Sequence, residues 1–229
     1  SLLNSSGNLQ KIEARYRGDN PRNWLFEKKS LRIKTRKQEM FERRRYFEYW
    51  PFYNLTLFVP ASIANRMEVL ASKSKLVELF INGISNGVFI ELERLDENFL
   101  RRNKIMPINI YKGENYNVES VIGIDQNLLN NPGLWSKTAI FNQRKDINKS
   151  DLEYFLSIVQ SAETRDQVFK ELLNNINIDT WAKFSAYTIL TQNYHHDYIH
   201  NLRLAIDPWS GYVYPIIIDP AFRSHFKVK

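Results

Sequence analysis

The sequence has no cysteine, which excludes disulfide bridges and thiolate metal sites. Neither a G-x-x-x-x-G-K nor a G-x-G-x-x-G loop is present. A phosphate site here would therefore rest on side chains more than on glycine-rich backbone. No apolar run approaches the ~20 residues a helix needs to span a bilayer. The opening SLLNSSGNLQ lacks an initiator methionine and a signal-peptide pattern, and reads as a processed or cut start. Histidine is scarce as well, yet three of the four stand within six residues, at His195, His196 and His200.

What is present describes a globular chain: 43% apolar, 14% aromatic and 25% charged residues. The length suits one large domain, or one domain of two lobes, with a sizeable core. Lysine and arginine total 32 against 25 acidic residues, a net charge of +7 that favours anionic partners. That excess is spread over many segments, which speaks against nucleic acid.

Strand patterns dominate the first half. Residues 1–10 are polar and carry no pattern. Lys11 to Gly18 alternates Ile12, Ala14 and Tyr16 against charged neighbours, and Lys28 to Arg36 alternates Leu31 and Ile33 against Arg32 and Lys34. The two read as a hairpin of basic strands. Phe41 to Pro60 is rich in aromatics and has no clean period. Ser62 to Ala71 predicts a helix capped by Ser62. Leu76–Ile81 and Gly87–Glu93 flank an Asn82-Gly83 turn signal and predict a hairpin with a slightly long loop. Ile108 to Lys112 is a further strand.

Residues 114–149 are polar and rich in Asn, a connector in appearance. Ser150 and Glu153 form a capping box for a helix that buries Leu152, Phe155, Leu156 and Val159. Asp179 is placed to cap a second helix, apolar almost all round and so expected to be buried. Strands first and helices after predict an α+β fold. The expected parts are a strand-rich lobe (11–113), a connector (114–149) and a helical lobe (150–229).

The densest chemistry lies in Thr191 to Phe222, TQNYHHDYIHNLRLAIDPWSGYVYPIIIDPAF. Two readings of it compete. His196-Asp197-x-x-His200 is one methylene short of the zinc motif H-E-x-x-H; on a helix both imidazoles would share a face, with Asp219 or His225 as third ligand. Alternatively, Asp197, Asn201 and Asp219 stand in the order protein kinases use for their catalytic Asp, metal-binding Asn and metal-binding Asp.

Several blocks in the correct order resemble the spore-coat protein H (CotH) kinase family, whose fold is an atypical protein-kinase-like one. RYRG at Arg15–Gly18 and KKS at Lys28–Ser30 resemble its opening strand pair. INGISNGVFIELERLDENFL, from Ile81 to Leu100, resembles its asparagine-glycine hairpin and acidic segment. TQN, His200-Asn201 and the DPWSG turn before YPIIID resemble its catalytic region, so the similarity covers roughly residues 12–222.

The resemblance implies a single kinase-like domain with its lobes around one cleft, using ATP and Mg²⁺ to phosphorylate a protein, with a coat or cell-surface setting. In that reading Asp197 is the base, and Asn201 and Asp219 hold the metal. Lys29 contacts nucleotide phosphates, with Lys34 and Arg17 as alternatives, and Glu93 pairs with the lysine. Two departures from the pattern stand out. The family's catalytic Asp usually lies five residues before the Asn, where this chain has His196, and Ile217 stands where the family has a first aspartate. The resemblance therefore leaves open a non-catalytic relative that binds a nucleotide or a partner.

Overall fold

The computed structural model describes residues 2–3, 9–18, 25, 27–36, 38–42, 44–53, 55–115, 125–139, 148–162, 166–193, 195–218 and 220. The chain divides into two compact units. One comprises Ser1–Phe58 with Ser72–Arg94, the other Val59–Ala71 with Leu95–Lys229. Strands and helices are both present, and the strand pairs of both sheets described below are antiparallel, so the α+β class holds.

The first unit is built on a five-stranded sheet. Its strands are β3 (Ile12–Tyr16), β4 (Leu31–Thr35), β5 (Tyr46–Pro51), β6 (Ser74–Ile81) and β7 (Ile84–Leu92), in the order β3-β4-β5-β7-β6. Two short strands, β1 (Leu2–Leu3) and β2 (Leu9–Gln10), pair with each other in the stretch where the sequence showed no pattern. The β3–β4 hairpin has the predicted register, with Ala14 opposite Ile33 and Arg15 opposite Arg32.

Alternation then sorts the faces. Ile33, Phe47, Tyr49 and Phe89 form the apolar face, joined by Ile12, Leu31, Val77 and Leu79. Arg15, Arg32, Glu48 and Trp50 fall on the other face. The β6–β7 turn is tighter than expected. Asn82 and Gly83 alone make it, both at positive φ (53° and 80°), and Ile81 pairs directly with Ile84.

The second unit holds a four-stranded sheet in the order β11-β10-β8-β9. Its strands are β8 (Asn109–Gly113), β9 (Trp135–Ala139), β10 (Leu202–Ile206) and β11 (Val213–Pro215). The strand expected at 108–112 thus closes not the N-terminal sheet but this one, because its ladder partners are β9 and β10. Nor is the 114–149 segment wholly a connector, since it contributes β9 and the tight turn Pro132–Leu134.

Five helices are described: α1 (Phe58–Arg66), α2 (Glu97–Arg102), α3 (Ser150–Ala162), α4 (Asp166–Asn174) and α5 (Ile178–Thr191). Helix α1 starts before Ser62, with Pro60 in its first turn, where a missing N–H costs no helical bond. Two caps also differ from expectation. Asn148 Oδ1 accepts the Ser150 amide, and Asn177 Oδ1 accepts that of Thr180, so Ser150 and Asp179 sit inside their helices. Helix α5 buries Phe184, Tyr187 and Thr191 on one face but exposes Ile189 and Leu190, so it is amphipathic rather than enclosed.

Apolar clusters fix the second unit. Tyr111, Leu128, Trp135, Leu152, Phe155, Leu156 and Leu204 make one; Phe99, Leu100, Ile108, Ile110, Ala205 and Ile216 make another. A third joins α1 to α5 through Ala64, Val69, Ala71, Phe184, Tyr187 and Ile217. Among the described residues no helix is long and apolar enough to cross a membrane.

Candidate functional site

Helix α5 ends at Gln192, whose left-handed backbone (φ 51°) turns the chain into the histidine segment. That segment is a succession of turns and bends up to β10, not a helix. Asp197 organises it. Its Oδ1 accepts the amides of Ile199 (2.8 Å) and His200 (2.9 Å) and the Nδ1–H of His200 (2.7 Å). Partial burial opposes ionisation of Asp197, but these hydrogen bonds and the imidazole outweigh it and hold the carboxyl below its usual range.

Asn201 follows, also left-handed (φ 59°), and its Nδ2 donates to His195 Nε2 at 2.8 Å. The rings of His195 and His200 meet edge to face at 5.3 Å. Two backbone bonds dock the loop on neighbouring chain, Leu128 N to Tyr198 O (2.7 Å) and Asn115 N to Ile199 O (3.1 Å).

His196 turns the other way. It is buried, its Nε2 lies 3.0 Å from Thr188 Oγ1, and its ring packs 4.9 Å from that of Phe184. The two histidines of the H-D-x-x-H pattern therefore engage different partners and lack the shared helical face that the zinc reading required. Among the described residues no group of three His, Cys, Asp or Glu side chains could hold a metal ion. Asp219 and His225 lie outside the described residues.

Sequence reading missed the support of this loop. Arg203 is buried, donates to the carbonyls of Gly113 (3.2 Å) and Leu202 (3.0 Å), and lies 3.4 Å from Glu114 Oε2. Lys112 Nζ is 3.5 Å from the same carboxylate. The strand register, Arg203 opposite Lys112, brings the charges together, and pairing between residues 91 apart leaves no local signal.

Ile217 is fully buried in the third cluster, and its amide bonds Leu70 O at 2.8 Å. Burial pushes the Tyr187 phenol of that cluster far above its usual value, a mark of an environment that disfavours charge.

The residues predicted in the first unit are placed as follows. Lys29 Nζ lies 5.6 Å from the centre of the Tyr16 ring. Lys34 pairs with Glu13 at 3.3 Å on an exposed strand. Glu93 Oε2 accepts the Lys73 amide at 3.1 Å, and the residue lines a pocket of about 260 Å³ with Arg44, Lys73, Ser74, Lys75 and Glu91. Arg17 Nε donates to Glu48 Oε2 at 2.5 Å.

The sequence profile of one family, described as CotH kinase protein, matches residues 14–214. The chain belongs to the CotH kinase family. It is also similar to the inner spore coat protein H of Bacillus subtilis (strain 168), at 23% identity over 205 residues, or 84% of this chain and 53% of that protein. The chain thus spans about half the length of that curated relative. Of the blocks that resemble the catalytic region of a CotH kinase, His200-Asn201 falls in this loop, with Thr191–Asn193 before it and the Asp207–Gly211 turn after it.

Metal fit can be judged from the donors described. With Asn201 Nδ2 committed to His195, the amide Oδ1 remains as a hard oxygen ligand. Mg²⁺ is usually held by one or two such protein groups together with waters and substrate phosphates. Among the described residues Asn201 Oδ1 is one such group, and Ile217 adds none.

Proposed function

We propose that this CotH family chain is an atypical protein kinase that transfers the γ-phosphoryl group of ATP to a protein hydroxyl with Mg²⁺. The observation that carries the reading is the pinned loop 197–201 in a chain matched by the family over residues 14–214. Phosphoryl transfer is catalysed mainly by positioning and charge stabilisation, so a rigid loop presenting a carboxylate and an amide oxygen is the needed part.

In this reading Asp197 turns its Oδ2 to the substrate hydroxyl and orients it, while Oδ1 keeps the loop closed. Its lowered pKa keeps it ionised at neutral pH, ready to accept a hydrogen bond. Asn201 Oδ1 and Asp219 would hold the metal, which when bound would neutralise charge on the phosphates. A cation of the first unit meets the phosphates, Lys29 on the sequence reading with Lys34 and Arg17 as alternatives, and Glu93 is its expected acidic partner. The two units act as the lobes of a kinase-like arrangement. The relative's name places that protein in a spore coat; for this chain the setting proposed is the spore coat or cell surface, with a coat or surface protein as substrate.

One observation favours an impaired enzyme as second reading. Ile217 stands where the family carries an aspartate, and it is a core residue. With one fixed oxygen fewer, the metal is held less firmly, which costs rate more than nucleotide binding. The test is calorimetric titration of ATP with and without Mg²⁺, on the native chain and on Asp219→Ala. Mg²⁺-dependent binding that weakens in Asp219→Ala is expected. Equal ATP affinity with and without the metal would sink the metal-site assignment.

A further inference from the structure

The polar face of the first unit's sheet carries a group of charges centred on Glu48. Glu48 lies in the centre of β5, its side chain only 7% exposed, and two arginines close on it. Arg17 Nε reaches Oε2 at 2.5 Å, and Arg32 Nη2 reaches Oε1 at 2.5 Å. Arg32 Nε adds a second bond to Oε1 at 2.8 Å. The Arg17 guanidinium also stacks over the Trp50 ring, 4.5 Å from its centre.

Buried ion pairs contribute little net stability against an apolar alternative, so stability alone gives weak reason for this triad. Its physical effect is to fix a guanidinium. Arg17 is held through Nε on one side and by the indole face on another. The Nη1–Nη2 edge, which Glu48 does not use, is a fork of the shape that binds phosphate oxygens in pairs. Two arginines against one carboxylate leave the triad with an excess positive charge. Arg15, directly opposite Arg32, and Lys34, opposite Glu13, stand in the adjoining rows of the same face.

We propose that Arg17, oriented by Glu48 and Trp50 and supported by Arg32, is the principal phosphate contact of this chain, in place of Lys29. The ligand is the polyphosphate chain of a nucleotide, and in that respect the inference rests on the phosphotransferase reading.

Strand alternation makes the two assignments exclusive. The Arg17 amide bonds Ser30 O, which sets Arg17 beside Ser30 and on the Glu48 side of the sheet. Lys29 falls on the opposite side, over Tyr16, whose partner Leu31 belongs to the apolar cluster. The remaining lysines nearby are engaged. Lys34 holds Glu13, and Lys28 donates to Val88 O at 2.6 Å and lies over the Phe89 ring.

The experiment is calorimetric titration of inorganic tripolyphosphate, and separately of Mg·ATP, into the native chain and into Arg17→Gln, Arg17→Lys and Lys29→Gln. Loss of the charged fork should weaken both ligands about 10- to 100-fold in Arg17→Gln. Arg17→Lys keeps the charge without the fork and should weaken them about 10-fold, while Lys29→Gln should change affinity less than about 3-fold. Arg17→Gln leaves Glu48 paired with Arg32, and far-ultraviolet dichroism checks its fold; if it fails to fold, Arg17→Lys decides.

Native affinity in both Arg17 variants, with loss in Lys29→Gln, would overturn the inference while the phosphotransferase reading survived. Tripolyphosphate binding that depends on Arg17, without ATP binding, would uphold the anion site and remove the nucleotide reading. Binding of neither ligand by the native chain would remove both.

Discussion

Restoring an aspartate at residue 217 is the obvious way to repair an impaired kinase, and the structure predicts that it unfolds the protein instead. Ile217 has no exposed surface and packs among Ala64, Val69, Ala71, Phe184 and Tyr187. Removing its side chain from that cluster forfeits about 1.5–3 kcal/mol of burial. An aspartate there meets no cation of the cluster, so its pKa rises above the unfolded value of about 3.9 by something like 3 units.

Each unit is worth about 1.4 kcal/mol, which adds about 4 kcal/mol at pH 7. The sum, about 5–7 kcal/mol, rivals the whole stability of a typical domain. The sign follows from the raised pKa. The charge penalty is absent below about pH 4, where both states are protonated, and grows as pH rises towards the folded pKa. Urea unfolding of Ile217→Asp at pH 4 and pH 7 should therefore show much the larger loss at pH 7, beside an Ile217→Val control losing about 0.5–1.5 kcal/mol. A variant with native stability at pH 7, or with faster phosphate transfer, would show that residue 217 faces a metal site rather than the core.

Three further outcomes are expected. Asp197→Asn should lose about 1 kcal/mol at pH 7, a modest figure because the carboxylate is a third exposed and screened. Its folded pKa is depressed, so the wild type's advantage is present above about pH 3.9 and fades as pH falls below it, which urea titrations at pH 3 and pH 7 compare. Glu48→Ala should cost about 2–3 kcal/mol in thermal melts, since two partly buried guanidiniums lose their shared partner. Gly83→Ala meets no atom within 4 Å, so its cost of about 1 kcal/mol would come from the positive φ alone, and denaturant unfolding reads it.

The parts of this fold that were legible in the sequence are those with one buried face. β4 alternates because Ile33 is buried beside Phe47 while Arg32 and Lys34 point away, and β3, which adds only Ile12 to that cluster, carries the matching alternation as its pairing partner. β5 escaped notice because it is covered on both faces, so Phe47, Glu48 and Tyr49 are all buried and no period appears. β9 is largely polar, and its identity depends on β8, which pairs with it across a long intervening segment.

The candidate site was legible in residue types but not in geometry. Three histidines, an aspartate and an asparagine announce chemistry, yet helix and loop both fit the spacing of His196 and His200. Two left-handed residues, Gln192 and Asn201, together with the Asp197 turn, decide for the loop. Arg203 and Glu114, which brace it, meet only through strand pairing. The resemblance reads Ile217 as a missing ligand, whereas its surroundings identify a core position.

The most direct test of the central claim is transfer of labelled γ-phosphate from ATP to protein by the native chain, with Asp197→Ala and Asp219→Ala beside it. The account predicts incorporation that requires Mg²⁺, falls well below the roughly 1–100 s⁻¹ of typical kinases, and disappears in both variants. Incorporation that persists without Mg²⁺, or that survives in both variants, would contradict it.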